Sequence, residues 1–170
     1  QNLALFNDLT VLDNVMLGRH HLMTTGYLAA AFWLGKAKRE ELAHRERCEE
    51  ILELLELEAY RFAHVATLPY GVRKRLELAR ALAMEPKLLL LDEPVAGMNQ
   101  EESEDMARFI LEIRRALRLS VLLVEHDMHL VMDLADRVLA LDFGRVLRVG
   151  TPDEVRGDSA VIEAYLGAAS

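Results

Sequence analysis

Two short apolar runs in this 170-residue chain end in polar side chains that could act on a phosphate group. Asp92 and Glu93 follow four leucines, and His126 lies just beyond a second run of four apolar residues at 121–124. One carboxylate of such a pair can hold Mg²⁺ through its water shell, while the other positions or deprotonates an attacking water. A nearby histidine could contact a terminal phosphate. The competing interpretation is that acidic side chains merely end a strand at solvent, because short motifs also occur by chance.

The elements between these two polar tips predict that the tips lie close together. Each apolar run is typical of a buried strand, and residues 100–117 between them have apolar side chains at helical spacing (Met106, Phe109, Ile110, Ile113 and Leu117). Two strands joined by a helix form a βαβ unit with parallel strands, so both tips would lie at one sheet edge. Ligands bind at that edge in open α/β sheets.

The rest of the chain predicts helices first and a hairpin later. Residues 10–60 read as mostly helix, opened by a capping box of Thr10 and Asp13. From Lys36 onward the predicted apolar side comprises Leu42, Cys48, Ile51, Leu52 and Leu55. Further predictions are a turn at Pro69-Tyr70-Gly71, a helix over 72–84, strands at 137–142 and 145–149 around Phe143-Gly144, and a helix start at Thr151-Pro152-Asp153-Glu154.

Composition limits the class of protein. With 52% apolar and 28% charged residues, the chain can bury one sizeable core, which is typical of one domain or most of one. A formal charge of -8 without any basic block argues against a nucleic-acid-binding surface. The single cysteine, Cys48, provides neither a disulfide nor a metal cluster, which indicates a reducing cytoplasm. The apolar stretch 27–34 is shorter than a membrane span, so we expect membrane association only through a partner.

Five segments together resemble the ATPases of ABC transporters. Residues 88–93 are similar to the Walker B strand, 96–99 to the loop that follows it, and 125–127 to the switch-histidine segment. Residues 68–75 fall where the family has its signature motif, and Gln1 occupies the position of the Q-loop glutamine. The order and spacing of these motifs match the family over nearly the whole chain.

The resemblance implies an α/β fold, with the parallel sheet of a P-loop NTPase-like ABC ATPase and a helical subdomain. Residues 1–86 would carry the Q-loop, the helical subdomain and the signature helix. Residues 87–170 would form the Walker B and H-loop part of the RecA-like core, with a C-terminal hairpin and helix. Several segments are similar more narrowly to the LivG-type ATP-binding subunit of branched-chain amino acid importers: 1–6, 10–15, the insertion 19–38, the Tyr70-Gly71 signature, 125–132 and 164–167. Importers of urea or short amides share much of this pattern.

The same resemblance assigns roles to individual residues. Glu93 would be the catalytic base and His126 would contact the γ-phosphate, while Asp92 would hold Mg²⁺. Gln1 would sense Mg²⁺ and the attacking water, and would link nucleotide state to the transmembrane partner.

The signature segment would act on a second subunit. Pro69, Tyr70 and Gly71 would cap the ATP held by another ATPase subunit, because a helix N-terminus offers N–H groups and a favourable dipole to phosphate. The implied partners are therefore this second subunit, as a homo- or heterodimer, and transmembrane permease subunits at the inner face of the cell membrane.

Three departures from the family pattern affect these expectations. Pro69 stands where the commoner signature has serine, and Val72 stands where it has glutamine. No G-x-x-x-x-G-K-S/T loop occurs, since the only Gly-Lys pair, Gly35-Lys36, lacks the preceding glycine and the following hydroxyl residue. The sequence therefore predicts a truncated subunit that binds Mg-ATP weakly and hydrolyses none by itself, and whose sheet has uncovered apolar faces.

Two other functions share part of this pattern. A soluble ABC ATPase acting on DNA or ribosomes would need a long coiled-coil insertion or a basic linker, and the sequence shows neither. A non-catalytic remnant that serves as a binding module would explain the missing phosphate-binding loop equally well. The coding DNA upstream of Gln1 distinguishes the remnant from the truncated subunit.

Overall fold

The computed structural model describes residues 5–23 and 35–168, and it comprises two compact units. One unit is Gln1–Leu90 with Pro94–Leu122, and the other is Leu91–Glu93 with Leu123–Ser170. Gln1 and most of the predicted insertion lie outside the described residues. The motif-based division at residue 86 stays a prediction.

The first unit is built mainly from helices. They are α1 (Val11–Gly18), α2 (Lys36–Leu54), α3 (Tyr70–Ala83) and α4 (Gln100–Leu117), with single 3₁₀ turns at His20–Leu22, Glu58–Tyr60 and Val65–Thr67. Its fully buried side chains include Val11, Val15, Cys48, Leu52, Leu55, Leu57, Leu76, Leu82, Met106, Phe109 and Ile113. Each buried leucine contributes about 1.5–3 kcal/mol relative to exposure. Burial also raises the pKa of the Cys48 thiol to about 11, consistent with a structural role for this residue.

Helices α1 and α2 confirm most of the sequence pattern. The Thr10 hydroxyl accepts the Asp13 N–H at 3.2 Å, so Thr10 is the N-cap as predicted, but the Asp13 carboxylate accepts the Thr10 hydroxyl at 2.6 Å and the reciprocal capping box does not form. The predicted burial of Leu42 is wrong, since this side chain is 54% exposed. Six residues at about 100° each put it about 120° around the helix from the buried Cys48.

Helix α3 begins two residues earlier than the sequence predicts. Pro69 is its N-cap, with φ -55° and ψ 155°, and its carbonyl accepts the Arg73 N–H at 3.1 Å. Tyr70 and Gly71 are therefore the first helical residues and not part of a turn. Proline can take this position because its fixed φ is compatible with the chain entering a helix.

The strands β1 (Leu88–Asp92) and β2 (Ser120–Val124) pair as a small parallel sheet, connected through α4. Successive side chains of a strand point to opposite faces. Leu89 is buried, whereas Leu88, Leu90, Leu122 and Val124 are 51–65% exposed. The interpretation of both runs as fully buried strands is thus wrong, and the expectation of an uncovered apolar face is confirmed.

The second unit has a hairpin and three helices. Its elements are α5 (Met128–Leu134), β3 (Val138–Asp142), β4 (Arg145–Gly150), α6 (Pro152–Arg156) and α7 (Ser159–Ala168). Phe143 and Gly144 form the two-residue turn with φ of 44° and 78°, as the hairpin prediction requires. The predicted capping box of Thr151 and Glu154 begins α6. Met132, Val138, Val155 and Val161 form the core of this unit. Within the described part of the chain, no helix is both long and apolar enough to span a bilayer.

Candidate functional site

Glu93 and His126 lie together where β1 and β2 end. The Glu93 N–H donates to the Val124 carbonyl at 2.9 Å, which continues the contact between the two strands by one residue. Nδ1 of His126 is 3.4 Å from Oε1 of Glu93. Both side chains remain accessible, with 39% of Glu93 and 78% of His126 exposed. The βαβ unit thus brings the two polar tips together, as the sequence pattern predicts.

The backbone at Glu93 adopts the left-handed region, with φ of 45°. This conformation costs a non-glycine residue on the order of 1–3 kcal/mol and persists only where the surrounding structure imposes it. Such strain concentrates at functional sites. Glu56, Glu85, Arg118 and Phe143 also have positive φ, so this conformation by itself does not assign a role to Glu93.

The three consecutive polar residues after β2 have different environments. The Glu125 side chain is only 1% exposed, and its carboxylate accepts the His126 N–H at 3.1 Å and lies 3.8 Å from Nδ1. Asp127 is the N-cap of α5, and its carboxylate accepts two first-turn N–H groups at 2.9 and 3.2 Å. Glu125 is therefore the one of the three whose side chain is buried, whereas His126 and Asp127 are exposed.

Glu125 is a residue whose role the sequence reasoning missed. The alternation of side chains along a strand could have predicted its burial. Glu125 lies two residues beyond Leu123 and so falls on the same side of β2. A buried carboxylate that contacts the histidine backbone and faces its ring holds His126 in place.

Asp92 is the exposed last residue of β1, directly before Glu93. Among the described residues, no three His, Cys, Asp or Glu side chains converge into a metal-binding group. Mg²⁺ does not require such a cage, since it binds through one or two carboxylates, several waters and substrate phosphates. The donor set around Asp92 therefore fits Mg²⁺ held jointly with a nucleotide.

The first turn of α3 holds the signature residues. Pro69 provides no side-chain cap to the helix, so the first-turn N–H groups are not occupied by a capping side chain. The Val72 side chain is only 6% exposed. Valine, which stands here in place of the commoner glutamine, therefore packs in the core of the first unit.

Two further contacts surround this turn, both within the first unit. The Tyr70 hydroxyl donates to the Ala96 carbonyl at 3.0 Å. Gly71 is buried against the carboxylate of Glu102, which a Cβ at this position would overlap. Sequence reasoning missed Glu102, although Asn99 followed three residues later by Glu102 is itself a capping-box pattern.

Comparison with known proteins identifies the family. The family model described as ABC transporter matches residues 1–96, which is more than half of the chain. The chain belongs to the ABC transporter family. A second model, described as branched-chain amino acid ATP-binding cassette transporter, matches residues 149–170 of this ABC chain.

Relatives with similar sequences are named as ATP-binding proteins of transport systems. The chain is 37% identical to the high-affinity branched-chain amino acid transport ATP-binding protein BraF of Pseudomonas aeruginosa, over 99% of the chain and 66% of BraF. It is 36% identical to the protein LivG of Salmonella typhimurium, with the same coverage. The sulfate/thiosulfate import ATP-binding protein CysA 2 of Agrobacterium fabrum is 34% identical, but the chain covers only 47% of it. The ABC chain thus spans just under two thirds of the length of BraF and LivG.

Solved structures confirm the fold class predicted for this ABC chain. The ADP conformation of an ATP-binding cassette of an ABC transporter matches 95% of the chain with a TM-score of 0.76 and 27% identity, and the chain covers 64% of it. The structure of cbiO1 from Clostridium perfringens, part of the ABC transporter complex cbiONQ, matches 94% of the chain with a TM-score of 0.75 and 28% identity, and the chain covers 57% of it. The fold is that of the ABC ATPase cassettes.

Proposed function

We propose that this chain forms the signature, Walker B and switch-histidine portion of an ATP-hydrolysing subunit that energises import of branched-chain amino acids. The observation that carries the proposal is the 3.4 Å approach of Glu93 and His126 at the carboxyl ends of two parallel strands, in a chain of the ABC family. Ligands of open α/β sheets bind at this edge.

The geometry of the pair supports distinct roles for the two side chains. Glu93 would accept a proton from the attacking water, and its 39% exposure leaves the carboxylate accessible to that water. Nδ1 of His126 faces Glu93, which leaves Nε2 on the far side of the ring to contact the γ-phosphate. Asp92 would hold Mg²⁺, whose charge would offset that of the phosphates. Gln1 would sense Mg²⁺ and the attacking water.

An active site of this kind would also need a G-x-x-x-x-G-K-S/T loop, which residues 1–170 do not contain. We call these residues together with a segment that supplies this loop the complete subunit. Pro69, Tyr70 and Gly71 would cap ATP bound to a second ATPase subunit, through the N–H groups of the first turn of α3. Permease subunits would anchor the pair at the inner face of the membrane.

Branched-chain amino acids are the proposed substrate because two observations agree. The family model for branched-chain amino acid cassettes matches residues 149–170, and the relatives with 35–37% identity carry that substrate in their names. The test is uptake of radiolabelled leucine, compared with urea, by vesicles that contain the complete subunit with its permease and binding protein. Uptake of urea without leucine would contradict the assignment.

Substitution of Glu93 tests the proposed catalytic base. Glu93→Gln in the complete subunit should lower ATP turnover at least about 100-fold while ATP binding persists, because the amide keeps the shape and loses the basicity. The matched control is Glu101→Gln on the exposed face of α4, which should hydrolyse ATP at the wild-type rate. Near-normal hydrolysis by Glu93→Gln would show that another group is the base.

A titration of the 170-residue chain alone tests the need for an outside phosphate-binding loop. Backbone amides and the lysine of that loop supply the main hold on nucleotide phosphates, so we expect very weak binding of Mg-ATP and no hydrolysis. Micromolar affinity by isothermal titration calorimetry would contradict this part of the proposal.

A further inference from the structure

The start of α3 contacts the loop Pro94–Asn99, which connects β1 to α4 and which we call the connecting loop. The Tyr70 hydroxyl donates a hydrogen bond to the Ala96 carbonyl at 3.0 Å, across 26 residues of sequence. The Tyr70 ring covers Gly97, where an added Cβ would lie 3.4 Å from both Cε1 and the hydroxyl oxygen. Gly97 also has φ of 77°, so a side chain here would be strained in addition to being crowded.

A second contact, one residue further along α3, joins the start of α3 to the first turn of α4 directly after the connecting loop. A Cβ on Gly71 would overlap the Glu102 carboxylate and lie 2.9 Å from its Cδ, so the carboxylate packs directly on the Gly71 backbone. Glu102 also holds the end of the connecting loop, because its carboxylate accepts the Asn99 N–H at 3.1 Å. In return, the Asn99 side chain accepts the Glu102 N–H at 2.9 Å.

These contacts form a two-point attachment between the proposed nucleotide-capping turn and the connecting loop. Tyr70 holds the middle of the loop at Ala96, and Glu102 holds its end at Asn99 while it packs on Gly71. Between these points the loop has a turn of its own, in which the Met98 N–H donates to the Val95 carbonyl at 3.0 Å. A loop fixed at both points follows the start of α3 when that turn moves.

We infer that Tyr70 and Glu102 are positioning residues that fix the connecting loop to the first turn of α3, so that the two segments move together when α3 engages nucleotide. Tyr70 therefore acts through its side chain on the loop, in addition to the backbone contact proposed above. The inference rests on the proposed function for the nucleotide, but the attachment itself is a property of the first unit and can be measured without ATP.

Hydrogen–deuterium exchange on the nucleotide-free complete subunit tests the attachment. Tyr70→Phe removes only the hydroxyl, and Glu102→Ala removes the carboxylate from both of its contacts. Each should raise exchange of the Met98 amide roughly three- to tenfold, because loss of a hydrogen bond favours local opening. Exchange in the core of α2 should not change.

Two substitutions serve as matched controls. Glu102→Gln keeps the side-chain length and the ability to cap Asn99, since glutamine replaces glutamate in a capping box. Tyr165→Phe removes a hydroxyl from an exposed tyrosine of α7. Both should leave Met98 exchange at the wild-type value.

A kinetic measurement connects the attachment to turnover. In the complete subunit, Tyr70→Phe should lower kcat for ATP roughly threefold with KM changed less than about twofold, because positioning is lost while the backbone contact remains. Unchanged Met98 exchange in Tyr70→Phe and Glu102→Ala would overturn the inference. So would a uniform rise across both units, which would indicate a merely structural role. If the wild-type subunit had no ATPase activity but the variants changed Met98 exchange as expected, the proposed function would be contradicted. The attachment between Tyr70, Glu102 and the connecting loop would still be supported.

Discussion

The start of α3 and the ends of β1 and β2 are both proposed to face nucleotide, yet they are held in different ways. The first turn of α3 is fixed by Tyr70 on Ala96 and by Glu102 on Gly71. Glu93 and His126 instead approach each other at 3.4 Å through side chains that remain accessible to solvent. A surface pair of this kind contributes about 0–1 kcal/mol to stability.

The difference follows from which atoms would contact the nucleotide in each region. A helix terminus binds phosphate through backbone N–H groups, so the protein must hold the backbone itself in position. Glu93 and His126 would act through their side chains, which must stay accessible to water and phosphate. Substitutions at the strand ends should therefore change the rate of ATP hydrolysis alone. Substitutions at the start of α3 should change both that rate and the local structure.

Gly71 variants should have the largest effect. Gly71→Asp should lower hydrolysis on the order of 10³-fold, because its carboxylate would meet both Glu102 and the γ-phosphate of the opposing nucleotide. Gly71→Ala meets only the Glu102 carboxylate, the end of a flexible side chain that can shift, and should lose about 1 kcal/mol of stability. The measurements are ATPase rates in the permease-bound complex and urea unfolding.

A second substitution separates these two causes. Glu102→Ala makes room for a side chain at position 71, so it should recover most of the stability lost in Gly71→Ala and little of the hydrolysis lost in Gly71→Asp. Full activity of Gly71→Asp alone would mean that this turn does not face nucleotide. Equal recovery of both double variants would assign the whole effect to the collision with Glu102.

His126→Ala should lower turnover about 100-fold, as expected when a contact to developing charge is removed. The urea midpoint should stay within error, because the ring is 78% exposed and its contacts with the Glu93 and Glu125 carboxylates are long, at 3.4 and 3.8 Å. His129→Ala, on the exposed first turn of α5, is the matched control and should leave turnover unchanged. A large loss of stability in His126→Ala would contradict the contrast between the two regions.

A smaller effect is expected from pH, through the helices that support the first unit. Arg19 donates from Nε to Nδ1 of His44 at 2.9 Å, and also binds the Ala83 carbonyl and Glu85. Burial, and then the Arg19 guanidinium, lower the pKa of His44 from its ordinary value of 6.5. The unfolded chain therefore binds a proton on His44 more readily, and stability is lost as pH falls below 6.5 towards the folded-state pKa.

The measurement is the urea midpoint of the complete subunit between pH 7.5 and pH 5.5, compared with His44→Asn. The asparagine amide oxygen can accept the Arg19 N–H without titrating. We expect the variant to lose less stability on acidification than the wild type. An identical decrease in both proteins would show that His44 does not contribute.

The smallest effect should come from Pro69→Ser. Pro69 is the N-cap of α3 and supplies no side-chain hydrogen bond. A serine hydroxyl could accept a first-turn N–H or contact phosphate, so hydrolysis in the permease-bound complex should stay the same or rise about twofold. A strong decrease would mean that the proline ring itself holds the start of α3.

Local features could be predicted from the sequence because their causes lie within a few residues. Thr151 and Glu154 cap the helix that follows them, and Phe143-Gly144 makes the two-residue turn of a hairpin. The α4 bounds, Gln100–Leu117, agree with the apolar spacing. The pairing of the polar strand ends was also predictable, because a βαβ unit has essentially one arrangement.

Other features depend on residues far apart in the sequence, and only the tertiary structure decided them. Tyr70 reaches Ala96 across 26 positions, and the Glu102 carboxylate of another helix packs directly on Gly71. No local pattern encodes such contacts. Thus the chemistry of the strand ends follows from residue type and local order, whereas the placement of the signature turn follows from long-range packing against α4 and the loop before it.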